Sequence, residues 1–293
     1  MKAFVTAASV ALLAALGAAA PASARDGAEV SVRRAAARMV VIVENRTDVA
    51  VEIEDGSADL PRPSVTRVGN EIRIDGGLGR NPIRNCHGGA DNARQPGEGA
   101  SVELRGHGRV ELSAAPLIVI RTPPRVDVNI EGDAAVFGFV GRGATSVELG
   151  NAGCGDWTVA NVAGPLEVSL VGSGSIRAGS SESVSASLAG SGDILVGPTN
   201  SLEANIAGSG DVSAATVHGS VEASIAGSGN VRVRSGDVGT VEANIVGSGD
   251  VEIAGRAASV EASVMGSGDV RVAAVQGSVS QSVMGSGRVR IGN

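Results

Sequence analysis

From Leu166 to Met284 apolar residues fall at every second position in short runs, as in Val241-Glu242-Ala243-Asn244-Ile245. A period of two sends alternate side chains to opposite faces of an extended chain, so each run predicts a β-strand with one buried face. Every run stops at a Gly-x-Gly corner, and a second, shorter alternation follows, such as Asp250-Val251-Glu252-Ile253. Glycine accepts backbone angles that a Cβ forbids, so the predicted unit is strand, corner, strand. No unit carries a helical period.

The units repeat. Gly-Ser-Gly triads begin at Gly172, Gly190, Gly208, Gly227, Gly247, Gly266 and Gly285, with spacings of 18, 18, 19, 20, 19 and 19 residues. The frame extends back to 146–164, where Gly153-Cys154-Gly155 replaces the triad, and to 125–145, which keeps the strand and loses the triad. The stretch "LRGHGRVEL" (104–112) reads as a still earlier unit. A unit of ~19 residues cannot bury its own apolar face, so the units must stack. Hairpins in an antiparallel sandwich are the alternative. Near-constant spacing, with one residue class at each position, favours vertical stacking of like on like. The expected fold is all-β: a single-stranded parallel β-helix, right-handed, since strict six-residue repeats are missing.

The first third is less regular. Residues 39–45 and 48–55 read as strands about a polar turn, 65–77 as a strand pair, and 77–100, rich in Gly, Asn and Arg, as a long loop. Irregular opening coils or a cap are expected here, because a solenoid must cover its exposed end. At the N-terminus one Lys precedes an Ala-rich apolar run and Ala22-Ser23-Ala24, the small-x-small pattern of a secretory cleavage site between Ala24 and Arg25. The expected division is therefore 1–24 signal peptide, 25–100 opening strands, cap and loop, and 101–293 repetitive coils.

Composition narrows the function. Beyond Ala24 the chain has no Lys, and 23 Arg stand against 31 Asp and Glu, a net charge of −8. That balance argues against nucleic acid and anionic membranes as partners. No later segment approaches the ~20 apolar residues of a membrane-spanning helix. Tyr is absent, and Trp157, Phe137 and Phe139 are the only aromatic residues after the leader. The core must be built from Val, Ile, Leu and Ala.

The Gly-Ser-Gly-Asp-Val/Ile stretches at 190–194, 208–212, 247–251 and 266–270, stacked behind a signal peptide, resemble the head GIN domain, a family named for autotransporter adhesins. The resemblance spans roughly 38 to 293. It implies a β-helix of the bacterial cell envelope with an adhesive role. A self-exporting member would continue into a membrane barrel of alternating ~10-residue strands. No such strands are read after the last triad, so adhesion is expected here and self-export is not.

Several residues invite chemistry. Cys86 and Cys154 are the only cysteines, and exported chains mature where disulfides persist. A bridge pinning the long loop to the stack is expected, against free thiols or a metal site with His87 and His107, for which no tight ligand pair exists. Asp193 and Asp211, like Asp250 and Asp269, lie one coil apart, close enough for a pair of glycosidase carboxylates. An Asp after a glycine corner is, however, a natural acceptor of nearby backbone N–H groups. A motif copied in coil after coil is also unlike a catalytic cluster. Glu203, Glu222, Glu242 and Glu261 recur at one outward position, where neighbours ~4.8 Å apart repel by about 1 kcal/mol even in water. Arg232 and Arg271 are candidate neutralisers, with divalent cations the alternative. Trp157 replaces a Val or Ile and is expected in the core, and His218 in a solvated turn.

No Gly-x-Ser-x-Gly elbow or phosphate-loop Lys is present. The expected role is an exported, non-catalytic envelope protein, periplasmic or at the surface, without a cofactor and binding a surface or polysaccharide ligand. The alternatives are self-assembly through exposed coil ends and a carbohydrate-active enzyme.

Overall fold

The computed structural model describes residues 28–89 and 95–292. The expected signal peptide and its Ala24–Arg25 junction lie outside the described residues. The irregular part holds β1 (Glu29–Arg33), β2 (Ala36–Val43), β3 (Ala50–Glu54), β4 (Ser64–Val68), β5 (Glu71–Asp75), β6 (Ile83–His87), β7 (Ser101–Leu104), β8 (Gly108–Glu111) and β9 (Leu117–Thr122). Two transitional coils follow: β10 (Arg125–Ile130) with β11 (Ala135–Val140), and β12 (Ser146–Asn151) with β13 (Asp156–Val159).

The regular coils then run as β14 (Pro165–Gly172) and β15 (Ser175–Ala178), β16 (Ser183–Gly190) and β17 (Asp193–Thr199), and β18 (Ser201–Gly208) and β19 (Asp211–Val217). They continue through β20 (Val221–Gly227) and β21 (Val231–Val233), β22 (Asp237–Gly247), β23 (Val251–Gly266), β24 (Asp269–Val275), β25 (Val279–Gly285) and β26 (Arg288–Ile291).

The architecture is the expected parallel β-solenoid with coils of ~19 residues. First strands pair in parallel with first strands of the next coil, in register from β10 through β12, β14, β16, β18, β20, β22 and β23 to β25. Second strands form an equivalent parallel ladder from β11 to β26. Inward positions stack as columns, for example Leu202, Val221, Val241 and Val260 beside Ala204, Ala223, Ala243 and Ala262, all 2% exposed or less. Each branched side chain so buried contributes about 1.5–3 kcal/mol, and the alanine column keeps the interior narrow.

The corner needs glycine for two different reasons. The first glycine of a triad has a left-handed backbone, φ +133° at Gly247. The third is excluded by proximity: a Cβ on Gly249 would lie 2.0 Å from the Gly229 carbonyl oxygen one coil below. Only the middle serine is free of both constraints.

Space and sequence part company at the N-terminal end. β1 and β2 form a regular coil inside the stack, between β5 and β9 on one side and β10 and β11 on the other. The end is closed by β4, antiparallel to β5, and β3, antiparallel to β9. Antiparallel edge strands stop the parallel ladder from being extended in kind.

Two expectations change. The stretch 104–112 is a hairpin of β7 and β8 rather than a coil, and the loop at 77–100 contributes β6, completing a separate three-stranded antiparallel sheet. That sheet covers the outer side of β2 and β11, burying Phe137, Ala135 and Ala36 with Val102, Leu104 and Leu112. The run Ala135-Val136-Phe137 in β11, apolar without alternation, is the mark of a strand covered on both faces.

Candidate binding face

The outward side chains of the first strands make three parallel rails from β14 to β25. The third position of each unit gives Glu167, Ser185, Glu203, Glu222, Glu242, Glu261 and Ser280, aligned by direct register. Two residues on, Ser169, Ser187, Asn205, Ser224, Asn244 and Ser263 form a hydroxyl and amide rail in the same register. Two further on, just before each triad, the rail is apolar: Val171, Ala189, Ala207, Ala226, Val246 and Met265. Rails lie about 7 Å apart across the face and repeat about every 4.8 Å along it.

Val171, Val246, Met265 and Met284 are 46%, 56%, 50% and 60% exposed, a line of large apolar side chains that solvent alone does not favour. Between Val171 and Val246 the alanines are too small to fill the line. They leave a trough of about 450 Å³ lined with Ser187, Asn205, Ser224, Ala189, Ala207 and Ala226. This rail is not among the features expected from the alternation alone. Its signal is that the residue before each triad continues the outward phase of the alternation yet is apolar.

Glu203, Glu222, Glu242 and Glu261 are all exposed on this face. The Asn205 side chain donates to the Glu203 carboxylate at 3.0 Å and Asn244 to Glu242 at 3.1 Å, which leans these two acids toward the central rail. Arg232 and Arg271 do not neutralise them. Arg232 binds Asp211 at 2.5 Å, and Arg271 binds Asp250 at 3.0 Å and Asp269 at 2.6 Å. These carboxylates, led by the Asp250 hydrogen bond, raise the Arg271 guanidinium above its ordinary pKa. The corner lies between the two strands, so arginines on the second strand reach corner acids and not the first-strand face.

The corner acids form a ladder of their own. Asp193 accepts the Asp211 amide at 3.2 Å, Asp211 the Asn230 amide at 2.9 Å, and Asn230 the Asp250 amide at 3.0 Å. Asp250 then accepts the Asp269 amide at 2.8 Å and Asp269 the Arg288 amide at 2.9 Å. The donors belong to the next coil, not to the local turn. Each side chain thus satisfies an amide where the backbone ladder turns the corner, and the carboxylates are already engaged as structural acceptors.

Cys86 in β6 and Cys154 at the corner before β13 are joined by a disulfide, with Cα atoms 6.3 Å apart. Asp156 adds a hydrogen bond from the Gly89 amide at 3.3 Å, so the side sheet is tied to the stack at two points. His87 lies 3.9 Å from Glu103, and His107 meets the Asp59 carbonyl at 3.0 Å. Among the described residues no group of three or more His, Cys, Asp or Glu is placed to share a metal ion. Trp157 is buried at 1% exposure opposite Gly138, where a Cβ would lie 2.2 Å from the indole ring. His218 is exposed. No helix among the described residues is long and apolar enough to cross a membrane.

No curated protein sequence matches the chain. Among solved structures, a Bacteroides fragilis protein described as "a putative adhesin" is 14% identical, with a TM-score of 0.31 over 91% of this chain and 93% of its own. The family model described as "Putative auto-transporter adhesin, head GIN domain" matches residues 100–216 and 198–293. With its repetitive coils matched end to end, the chain belongs to the head GIN domain family.

Proposed function

We propose that this adhesin-like protein is exported to the bacterial cell envelope, periplasmic or at the surface, and acts without catalysis by holding a surface ligand on its first-strand face. The observation that carries the reading is the three-rail face, with carboxylate, hydroxyl or amide, and exposed apolar group repeated in register over successive coils. Repetition suits binding better than chemistry, because many weak, identical contacts add along a polymeric ligand. The corner acids, committed to amides and arginines, favour a structural role over a glycosidase pair.

Export rests on the leader and its Ala24–Arg25 junction, and a disulfide is in keeping with an oxidising compartment. N-terminal sequencing of the native protein is expected to begin at Arg25. The adhesive reading is tested by co-sedimentation of residues 25–293 with intact cells of the producing organism. Pelleting only with cells supports it.

A second reading, self-assembly, draws on β25, in which every residue is exposed. Pelleting without cells would favour that one.

A further inference from the structure

We infer that the ligand of this face is a linear, amine-bearing polysaccharide lying along the solenoid axis, across the strands. The inference rests on the binding face proposed above and adds the chemistry of its occupant.

Charge is the first ground. In the segments that lead into the corners, 165–172, 183–190, 201–208, 220–227, 240–247, 259–266 and 278–285, there are five Glu and no Arg or Lys. The arginines of these coils sit on the second strands and beyond, where Arg232, Arg256 and Arg271 are engaged by Asp211, Asp237, Asp250 and Asp269. The two signs are sorted onto different sides of one solenoid. Glu203, Glu222, Glu242 and Glu261 are left without a cationic partner among the described residues. Their complement is a ligand with positive charge recurring in step with the coils.

Geometry is the second. The backbone N–H and C=O groups of these strands are taken by the coils above and below, so an added peptide strand finds no edge and meets only side chains. An extended peptide advances about 3.3 Å per residue and drifts out of phase with rails that repeat about every 4.8 Å. A pyranose ring in an extended chain is about as long as one coil step. In an extended β-1,4-linked chain each ring is turned over relative to the last, so every second ring, two coil steps on, would meet the same trio: a carboxylate for the amine, Ser or Asn for ring hydroxyls, and Ala, Val or Met for the apolar C–H face. Asn205 and Asn244 hold Glu203 and Glu242 toward that path. The face has no aromatic platform, so binding depends on charge and on the number of coils engaged and weakens with salt.

The test is calorimetric titration of the full mature chain with three probes: a β-1,4-linked glucosamine hexamer, its fully N-acetylated counterpart, and hexalysine. The glucosamine hexamer is expected to bind best, with the acetylated form at least about tenfold weaker. The triple variant Glu203→Gln, Glu222→Gln, Glu242→Gln should lose about tenfold or more while keeping its far-UV spectrum and Tm. Equal binding of the acetylated hexamer, or unchanged binding by the triple variant, would overturn the inference. Hexalysine binding as tightly as the sugar would overturn the polysaccharide assignment. The underlying reading fails separately. If Ala207→Arg with Ala226→Arg abolishes retention on cells but no glucosamine hexamer binds, the occupant is wrong and the face stands. If those substitutions leave cell retention unchanged, the face itself is wrong.

Discussion

A methyl group added at Gly247 would lie 2.1 Å from the Gly227 carbonyl oxygen and 3.0 Å from its carbon, on a backbone with φ +133°. Gly247→Ala therefore carries two separable costs. An L-residue held in that region costs about 1–3 kcal/mol. Relief of the clash requires the coil to move by about 1 Å, since ordinary carbon–oxygen contact is well beyond 3 Å. That oxygen accepts two amides, Ser248 at 2.8 Å and Gly249 at 3.2 Å, each worth about 0.5–1.5 kcal/mol. The expected loss is about 2–6 kcal/mol. Ser248, exposed at the middle of the same corner, is the matched control, and Ser248→Ala should stay within about 0.5 kcal/mol of wild type. Urea unfolding followed by far-UV circular dichroism reads both. Because a solenoid is coupled mainly between neighbours, part of the loss is expected as earlier release of the coils from Gly247 onward, with a reduced m-value. A Gly247→Ala protein as stable as Ser248→Ala would refute the stacked-corner argument.

Three further outcomes follow from the same geometry. Cys86→Ser opens a loop of 68 residues and should cost about 4 kcal/mol by chain entropy; wild type, but not the variant, should then lose stability on adding reductant. Asp250→Ala removes the acceptor for the Asp269 amide and should cost about 1–3 kcal/mol, whereas Asp250→Asn, which copies the corner already built with Asn230, should lose clearly less in the same urea titration. Asp75 is held below the usual carboxylate range, first by the Arg34 hydrogen bond and then by the Gly77 amide. Its contribution is present above the unfolded value near ~3.9 and is lost as pH falls through the depressed folded value. The gap in urea midpoint between wild type and Asp75→Asn should be constant near neutrality and shrink below about pH 4; a gap that does not shrink as pH falls below about 4 would contradict the pairing.

The stack was legible because its determinants are local: a period of two, a corner every ~19 residues, and one residue class per position. What lay outside local sequence was missed. Nothing near β1 says that its neighbours are β5 and β10, roughly forty and a hundred residues away. A parallel pairing partner leaves no turn signal. The side sheet escaped notice because β6 lacks alternation, although the unbroken apolar start of β11 announces a cover on its outer face. Corner acids look like local acceptors in sequence because the true donor lies 18 to 20 residues on, adjacent only once the coils are stacked. The Glu rail was visible as a recurrence. Its separation from Arg232 and Arg271 was not, since it depends on where the corner points each strand.

The claim that the first-strand face is the adhesive surface is tested most directly by a paired retention assay on intact cells. Ala207→Arg with Ala226→Arg fills the trough with bulk and positive charge, while Ser228→Arg with Ser248→Arg places the same groups on the exposed corner. With both proteins melting like wild type, the account predicts that retention is lost in the first pair and kept in the second. Equal retention by both would place the adhesive surface elsewhere on the molecule.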